Sequence, residues 1–477
     1  RIDSRSKGVK MMKRIILALT ALLLTGAIAI SLAGCAINKG GEPGSSAGNT
    51  AEANTAEPVI AVPTAVPADP TAVPTDVPAT GAPADPTDAP PFVARSLSVS
   101  NFSFDAEMMR YVELTQTGNY MISPLSFKYA LGMLIAGAQG ATRQELLTAL
   151  GLENETELEN CIKSFNAFAE GYNAKIAKDT ERYNSLPEKE RDYYMTKPTG
   201  ALRVANSVWK RTDIEPFRDE FKLKLEMYDA ELYDFTRDTV VREVNAWAND
   251  KTEGLIPKLL PDNYDTADLA VVLMNALYFK NGWSEEFDNA GTLPFYTADG
   301  SKTNKDFIVS TLSCRYYKDG DTELAEIPME NNVTALFVIG STENLESKLE
   351  NAKYRRVKVY LPKFEIETSL SSGELCDFLK ALGVSTAFTD AADFSGMLAK
   401  HPVAVSDIVQ KTKIKLDETG IEAAAVTAIM MAESGVYEPE QPVEFRADKP
   451  FRFFIRTGTS GWTGDSGVVM FAGRVAN

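Results

Sequence analysis

The sequence predicts an α+β fold: one large domain at residues 93–477, in which about eight to nine helices accompany large mixed and antiparallel β-sheets. Two observations support this prediction. Strand-like runs with period-two hydrophobicity are spread along these residues, and helix-like periodicity is concentrated near their start. No Pro/Gly-rich linker divides them, although their number exceeds the usual size of a single domain.

The helices are predicted at residues 104–115, 126–137 and 142–150. The third begins with Thr142 and Glu145 at the spacing of a capping box, in which each side chain bonds to a backbone N–H of the first turn. The strand-like runs are residues 202–209, 270–279, 333–339, 356–364, 403–416, 451–455 and 468–475. A highly charged stretch, residues 178–197, is predicted to be a solvated insertion between elements.

The segment from Gln410 to Thr427 has the features of a chain that can change state. Its first part alternates lysines with residues of a second face, as in a strand with one wet face, and runs into a hinge at Gly420. The small residues that follow could slide between neighbouring strands, because none is a proline that lacks an N–H donor. In extended form one face would carry Ile421, Ala423, Ala425 and Thr427, and the other Glu422, Ala424 and Val426. The same alanine-rich run is a good helix former, so a short helix is the alternative.

The start of the chain has the pattern of an exported lipoprotein. Basic residues precede an apolar run at residues 15–30, and small residues follow up to Cys35, as in a bacterial lipobox. We expect residues 1–35 to be a signal peptide, with those before Met11 outside the natural start, and Cys35 to carry the lipid anchor. The alternative is a transmembrane anchor, for which the apolar run is short. The expected location is the bacterial cell envelope, with the body outside the cell.

Residues 36–92 are predicted to be a disordered tether. They consist mainly of Ala, Pro, Thr, Gly and Asp, a composition that buries too little to fold. Frequent proline favours polyproline II at ~3.1 Å per residue, so the tether could hold the body on the order of 100 Å from a membrane.

The composition argues against several functional classes. A formal net charge of −17 speaks against a nucleic-acid-binding role and against a surface for anionic membranes. Cys161, Cys314 and Cys376 are an odd number without close spacing, so neither a metal site nor a disulfide framework is predicted. The sequence also has no cofactor-binding motif, and no cofactor is expected.

A serine-protease active site is the alternative from another functional class. Residues 464–467, Gly-Asp-Ser-Gly, match the nucleophile motif of trypsin-like proteases, which needs a base beside the serine. His401 is the only histidine, and it precedes Ser466 too closely for the two-barrel arrangement of that class. We interpret residues 464–467 as a hairpin turn between two strands and expect no enzymatic activity.

The hinge segment resembles that of the serpins, a family of protease inhibitors. In that family an acidic residue, a glycine, a glutamate and an alanine run precede a threonine, as they do at residues 417–427 here. Further blocks resemble serpin segments in the family's order, from about residue 102 to the end of the chain; they are residues 119–126, 244–260, 274–287, 361–364, 394–397, 448–453 and 470–475. The resemblance implies the serpin fold with an exposed reactive loop.

The resemblance also assigns residues to functional positions. The implied reactive-loop hinge is Glu418, Gly420, Ile421, Glu422, Ala423, Ala424, Ala425, Val426 and Thr427. In inhibitory serpins the scissile residue usually follows the hinge glycine by fourteen positions, which implies a reactive bond between Ser434 and Gly435, with Met430, Met431, Glu433 and Val436 as alternatives. The implied sheet-opening region contains Ser123, Ser126, Asn275, Trp283 and Gln410.

The function that the resemblance implies is a monomeric suicide-substrate inhibitor, which traps a serine or cysteine protease by inserting its cleaved loop into the main sheet. No Lys or Arg lies between Lys415 and Arg446, so elastase-, subtilisin- or papain-like targets are expected rather than trypsin-like ones. Two residues depart from the family pattern: Ile421 stands where Thr or Ser is common, and Gln410 where a His is frequent. Ile421 could slow entry into the sheet, and a non-inhibitory binding or scaffold lipoprotein is the alternative function.

Overall fold

Two β-sheets form the framework of the protein. The computed structural model describes residues 101–191, 197–406, 408–421, 441–458 and 467–477, all within the compact unit Asp85–Asn477. Fifteen strands and eight α-helices follow one another in these residues. The predicted α+β class and the expected number of helices are therefore confirmed.

The strands are numbered in chain order. They are β1 (Tyr120–Ile122), β2 (Ala201–Arg211), β3 (Ala230–Phe235), β4 (Val271–Gly282), β5 (Asp288–Tyr296), β6 (Lys302–Asp319), β7 (Thr322–Met329), β8 (Val333–Ile339), β9 (Lys353–Pro362), β10 (Phe364–Leu370), β11 (Gln410–Leu416), β12 (Gly420–Ile421), β13 (Val443–Arg446), β14 (Phe451–Thr457) and β15 (Val469–Val475). Six of them form one sheet, which we call the main sheet, in the order β10-β11-β12-β4-β2-β3. The other nine form a second sheet, with β1-β15-β14-β8-β7-β6-β9-β13 in line and β5 paired with β6.

The helices connect and cover these sheets. They are α1 (Asn101–Thr115), α2 (Pro124–Gly137), α3 (Gly140–Ala149), α4 (Thr156–Ser185), α5 (Asp219–Leu225), α6 (Val240–Lys251), α7 (Leu345–Asn351) and α8 (Ser372–Ala381). None of the helices in the described ranges is both long and apolar enough to cross a bilayer.

Helix α2 lies at the centre of the core. Almost all of its residues are buried, and it packs against β4 of the main sheet and β15 of the second sheet. A helix that is apolar on all sides is suited to such a position, because no side faces water. Its one lysine, Lys128, is also buried, and its Nζ atom pairs with Oδ1 of Asp105 on α1 at 2.6 Å. The core therefore extends on both sides of α2.

Helix α6 covers the opposite face of the main sheet. Val240, Val244 and Trp247 pack there with Trp209 of β2 and Ala276 of β4 in a second, smaller cluster. The apolar spacing along α6 places these residues on one side of the helix. The main sheet is thus buried on both faces, between α2 and α6.

Three local predictions are wrong. Helix α3 begins at Gly140, and Thr142 lies inside it, because Glu145 accepts hydrogen bonds from the backbone N–H groups of Ser385 and Thr386 instead of capping the helix. Residues 178–185 are the last turns of the long helix α4, not an insertion. Of the predicted strand 403–416, only β11 has strand conformation.

Candidate functional site

The hinge glycine and the residue after it are already part of the main sheet. Strand β12 lies between β11 and β4, with Ile421 level with Leu416 on one side and with Asn281 on the other. The Ile421 side chain is 2% exposed and belongs to the large core that contains α2. The sequence leads us to expect that Ile421 enters the sheet only after cleavage. The structure differs, because this residue is in place while the chain is continuous.

The surroundings of residue 420 require a glycine. Gly420 has a φ angle of 143°, which side chains of L residues rarely allow. A Cβ atom at this position would overlap the carbonyl oxygen of Asn281 on β4. Any larger residue would therefore push β12 away from β4.

The turn between β11 and β12 is held by Asp417, Thr419 and Trp283. Asp417 Oδ1 accepts hydrogen bonds from the N–H and Oγ1–H groups of Thr419, at 3.0 Å and 2.7 Å. The indole Nε1–H of Trp283 donates to the carbonyl oxygen of Asp417 at 3.0 Å, and its backbone N–H donates to that of Thr419 at 3.1 Å. Trp283 therefore supports the hinge. The resemblance grouped it with Asn275, which precedes it by eight positions in the chain.

Glu418 fixes the outer side of the same turn. Its Oε1 atom accepts from Lys363 Nζ at 3.0 Å and from Asn289 Nδ2 at 3.2 Å, and its carbonyl oxygen accepts from the N–H of Phe287 at 3.1 Å. Partial burial raises the pKa of this carboxyl group, but the hydrogen bond and charge of Lys363 outweigh it, so the pKa of Glu418 is lowered. Glu418 is thus held as a carboxylate at the base of the hinge.

Below β12, the two strands on either side of it are separated. No ladder joins β11 directly to β4 among the residues that the structure describes; the two are linked only through β12. A cavity of about 110 Å³ lies between them, with α2 at its floor. Its lining includes Ser126, Leu131, Leu273, Asn275, Gln410 and Thr412. We call this strip between β4 and β11 the slot.

A hydrogen-bonded cluster borders the slot six residues along β11 from the level of Ile421. The Gln410 side chain accepts from the N–H of Ser123 at 3.0 Å and donates to the carbonyl oxygen of Ser123 at 2.9 Å. Ser123 is the N-cap of α2: its Oγ atom accepts from the N–H of Ser126 at 3.1 Å and donates to the Met470 carbonyl oxygen at 2.8 Å. Gln410 therefore ties β11 to the start of the central helix through backbone groups of Ser123, and among the described residues it makes no hydrogen bond to Ser126.

Asn275 faces this cluster from the other side of the slot. Its Nδ2 atom donates to Asn206 Oδ1 at 2.6 Å, whereas its Oδ1 atom is buried and has no hydrogen-bond donor among the described residues. Because Leu416 and Asn281 are both level with Ile421, counting back six residues on each strand makes Gln410 level with Asn275. The structure thus places these two amides opposite each other, and it does not join them by a hydrogen bond.

Two threonines belong to the same cluster, although the sequence did not point to them. Thr412 Oγ1 donates to the Met121 carbonyl oxygen at 2.7 Å, and Thr368 Oγ1 accepts from the Met121 N–H at 2.9 Å. Both threonines are buried on the inner face of β10 or β11. A hydroxyl on the apolar face of a strand is the signal that could have identified them, since a buried hydroxyl needs a hydrogen-bond partner.

Several of the other residues singled out in the sequence lie outside the described residues: Glu422 to Thr427, Ser434, Gly435 and Cys35. Four more, one histidine and three cysteines, are described. His401 is exposed, with its Nδ1 atom 3.6 Å from Glu215 Oε2. Cys161, Cys314 and Cys376 are buried, and burial together with the charge of Glu326 raises the pKa of Cys314 to about 12.

Comparisons with known proteins agree with this architecture. The family model described as Serpin (serine protease inhibitor) matches residues 98–477. The chain is 32% identical over 392 residues to Serpin-Z2A of Triticum aestivum, covering 75% of this chain and 90% of that protein. It is 30% identical over 413 residues to the leukocyte elastase inhibitor of Equus caballus, covering 80% and 99%. The solved structure of Serpin48, a highly specific serpin of the insect Tenebrio molitor, aligns with a TM-score of 0.60 and 26% identity over 78% of this chain and 96% of that one.

We predict that Gln410→His makes the stability of the protein depend on pH. A neutral imidazole can replace the amide as one donor and one acceptor for Ser123, but a protonated imidazole has no acceptor for the N–H of that residue. Folding then lowers the pKa of the new histidine below its unfolded value near 6.5, so stability is lost as pH falls through that range.

The measurement is the thermal unfolding midpoint between pH 5 and pH 8, compared with Gln410→Asn, whose shorter amide does not titrate. A midpoint for Gln410→His that changes with pH no more than that of Gln410→Asn would show that the imidazole does not replace the amide at Ser123.

Proposed function

Because the chain belongs to the serpin family, we propose that it is a suicide-substrate inhibitor of an extracellular serine or cysteine protease. The observation that carries this proposal is the position of Ile421, which starts a strand between β11 and β4 above the slot. Insertion of the cleaved reactive loop into the main sheet is the established behaviour of this family. The hinge of this chain has the geometry from which such a strand could extend.

The proposed reaction begins as ordinary proteolysis. The nucleophilic oxygen or sulfur of the protease attacks the carbonyl carbon of Ser434 and forms a new bond to it. The bond to the nitrogen of Gly435 breaks, and that nitrogen leaves as an amine after it receives a proton from the general acid of the protease. Ser434 then remains as an acyl group on the protease, while the chain from Gly435 onward stays attached to the body through β13.

The register of β12 predicts where each residue of the cleaved loop would go. Continuing both ladders from Ile421 by six residues brings Thr427 opposite Asn275 on β4 and opposite Gln410 on β11. Residues directly opposite each other in antiparallel strands share a face, so the Thr427 hydroxyl would point toward both amides. It could donate to the buried Asn275 Oδ1 atom, which has no donor among the described residues. The polar residue of the loop therefore matches the polar level of the slot.

The remaining residues of the loop also suit this register. Ala423 and Ala425 would lie above α2, next to apolar residues of β4 such as Phe279 and Leu277, which are buried. Ala424 and Val426 would lie on the opposite face, beneath α6. Small apolar side chains on both faces avoid the cost of burying a charge. Of residues 421–427 only Glu422 is charged, and it would lie next to the hinge.

The free energy that insertion would release is large enough to trap a protease. If about a dozen residues each gained about 1 kcal/mol from new ladder hydrogen bonds, insertion would release on the order of 10 kcal/mol. About 15 inserted residues at ~3.3 Å each would move the attached protease by some 50 Å. Deformation of its oxyanion hole would stall deacylation, because the loss of one donor there costs about 10²–10³ in rate.

The proposed targets are proteases that accept a small or apolar residue. No Lys or Arg occurs between Lys415 and Arg446, so a trypsin-like pocket would find no basic residue in the loop. The relative named leukocyte elastase inhibitor supports an elastase-like target. Subtilisin- and papain-like proteases accept similar residues and belong to the same proposal.

We further propose that the protein acts as a monomer at the surface of a bacterial cell, anchored through lipid on Cys35 and extended by the tether at residues 36–92. The proposal is supported by the signal-peptide pattern of residues 1–35 and by the proline-rich composition of the tether. Such an anchor would confine inhibition to proteases that reach the cell surface.

We predict a covalent adduct that survives denaturant when the purified protein is incubated with an elastase-, subtilisin- or papain-like protease. Denaturing gels would show the adduct, and mass spectrometry of the denatured sample would show a C-terminal peptide that begins at Gly435. Trypsin is the control and is expected to form no adduct. Cleavage in the loop without an adduct across the whole panel would contradict trapping and support the non-inhibitory alternative. A trypsin-selective adduct would contradict the proposed target class.

We predict that Ile421→Arg lowers the yield of adduct at least tenfold and leaves cleavage between Ser434 and Gly435 in place. The reason is that an arginine at this buried position would place a charge between Leu416 and Asn281 without a partner. The measurement is the ratio of adduct to cleaved protein at a fixed excess of protease. Ile421→Thr is the matched control and should keep the adduct, since its side chain is branched and uncharged. Equal adduct from Ile421→Arg would exclude insertion from β12.

We predict that the chain incorporates labelled fatty acid when it is expressed in bacteria and that Cys35→Ser does not. The change removes only the sulfur that accepts the lipid and leaves the apolar run at residues 15–30 unchanged. The measurement is the label on the immunoprecipitated protein, and Cys161→Ser is the control, which should remain labelled. Equal label on Cys35→Ser would overturn the proposed anchor.

A further inference from the structure

Strand β9 carries a row of basic and aromatic side chains on the outer face of the second sheet. Val357, Val359 and Leu361 are buried, so the residues between them point away from the core. This outer row consists of Tyr354, Arg356, Lys358 and Tyr360, and we call it the β9 stripe. Tyr354 is 72% exposed, the largest fraction among the exposed large apolar and aromatic residues of the described chain.

The positive charge of the stripe is largely unneutralised. Neither Arg356 nor Lys358, nor the adjacent Lys353 and Arg355, has a carboxylate within 4 Å among the described residues, although the chain as a whole carries a net charge of −17. The two basic residues of the stripe face uncharged partners on β6: Ser313 pairs with Arg356, and Thr311 pairs with Lys358. The stripe is therefore a local region of positive potential on an acidic protein.

Strand β13 continues the stripe on its other side. Arg446 pairs with Tyr360, and its guanidinium carbon lies 4.0 Å from the centre of the Tyr360 ring, a cation–π contact. Glu444 pairs with Lys358 and is the one acidic residue of β13 at this level. Stacked Arg and Tyr side chains are ordered at low entropic cost, as is typical of residues that contact a partner protein.

The stripe lies where the reactive loop returns to the body. Strand β13 runs parallel to β9, and its first residue, Val443, pairs with Val357, so the chain enters β13 directly beside Arg356. Gly435 precedes Val443 by eight residues, which span at most about 28 Å when fully extended. A protease domain of 200–250 residues is roughly 40 Å across. A protease bound at the bond after Ser434 is therefore large enough, and close enough, to reach the stripe.

We propose that the β9 stripe is a docking surface for an acidic patch beside the active-site cleft of the target protease. This inference rests on the proposed function, since it is the loop that brings the protease to this face. Charge across an interface mainly raises the association rate and suppresses wrong partners. The stripe would therefore select acidic members among the elastase-, subtilisin- and papain-like proteases, a selection that the loop, which contains no Lys or Arg, does not provide.

The test compares the purified protein with Arg356→Glu/Lys358→Glu. The control is Lys178→Glu/Arg182→Glu, which makes the same change in net charge at exposed positions of α4, a helix that packs on β2 in the main sheet. The first readout is the second-order rate constant for adduct formation at low and high salt. The protease is an elastase-, subtilisin- or papain-like enzyme of net negative charge. The second readout is the affinity for the same protease with its nucleophile replaced by alanine, which does not depend on trapping.

The stripe variant is expected to lose about tenfold in association rate at low ionic strength, with the loss disappearing near 0.5 M salt. Its final yield of adduct should be unchanged, because insertion into the main sheet does not involve β9. The control should remain within about twofold of the unmodified protein. An equal loss in both variants, or no loss in either, would overturn the docking surface.

Two further outcomes separate this inference from its premise. If the unmodified protein is cleaved without forming an adduct, but the stripe variant still loses affinity for the inactive protease, inhibition fails and the docking surface stands. If the stripe variant loses binding to heparin and keeps its rate and affinity toward the protease, the surface recognises a sulfated polysaccharide, and the protease proposal is overturned.

Discussion

The pairing of Ile421 with both Leu416 and Asn281 is the constraint on which the rest of the structure depends. At this level β11 and β4 are two strand spacings apart, about 9.6 Å, because β12 lies between them. The separation continues into the slot, where no ladder joins the two strands in the part of the chain that the structure describes. One short strand therefore sets the width of the space into which the rest of the loop would fit. The hinge contacts of Gly420 and Trp283 hold that strand in place.

The strands that border the slot are held in different ways at the hinge and at the level of Gln410. At the hinge, backbone contacts and the turn around Asp417 leave no room for a side chain at position 420. At the level of Gln410, this residue, Thr412 and Thr368 hydrogen-bond to backbone groups of Ser123 and Met121 beneath the sheet. These bonds anchor β10 and β11 to the core independently of β4. Because β11 is held from below, it does not need a direct ladder to β4 in order to stay ordered.

Much of the fold could be predicted from periodicity alone. The alternation from Gln410 to Leu416 identified β11, and the apolar run at Val333 to Ile339 matches β8 at both ends, because buried strands carry a strong period-two or continuous apolar signal. The failure of the predicted capping box has an identifiable cause. Glu145 has the right spacing for a capping box, but it bonds instead to residues 385–386, which are distant in sequence and adjacent only in the folded chain. Local pattern cannot anticipate a partner of that kind.

The same limit applies to the site. The hinge could be located from its glycine and alanines. The glycine allows the φ angle of the turn, and the small alanines can fit between strands, so both are local features of the sequence. The contact between Gln410 and Ser123 joins residues 287 positions apart, and the resemblance, not the spacing, brought them together. The register that makes Gln410 and Asn275 level depends on three strands at once. A one-residue shift would turn every side chain to the other face, and the sequence of one strand does not determine it.

The early pairing of Ile421 changes how its departure from the family pattern should be understood. A branched residue would slow insertion if it had to enter a closed sheet, since the first contact of a new strand orders the chain before it gains much in return. In this protein that contact exists before cleavage, and under the proposed mechanism the two bonded neighbours of β12 would set the register of the residues that follow. Insertion would then be the extension of an existing strand, with each step adding ladder bonds. The competition with deacylation would depend on the residues after Ile421, from Glu422 to Thr427, as long as the residue at position 421 stays in β12.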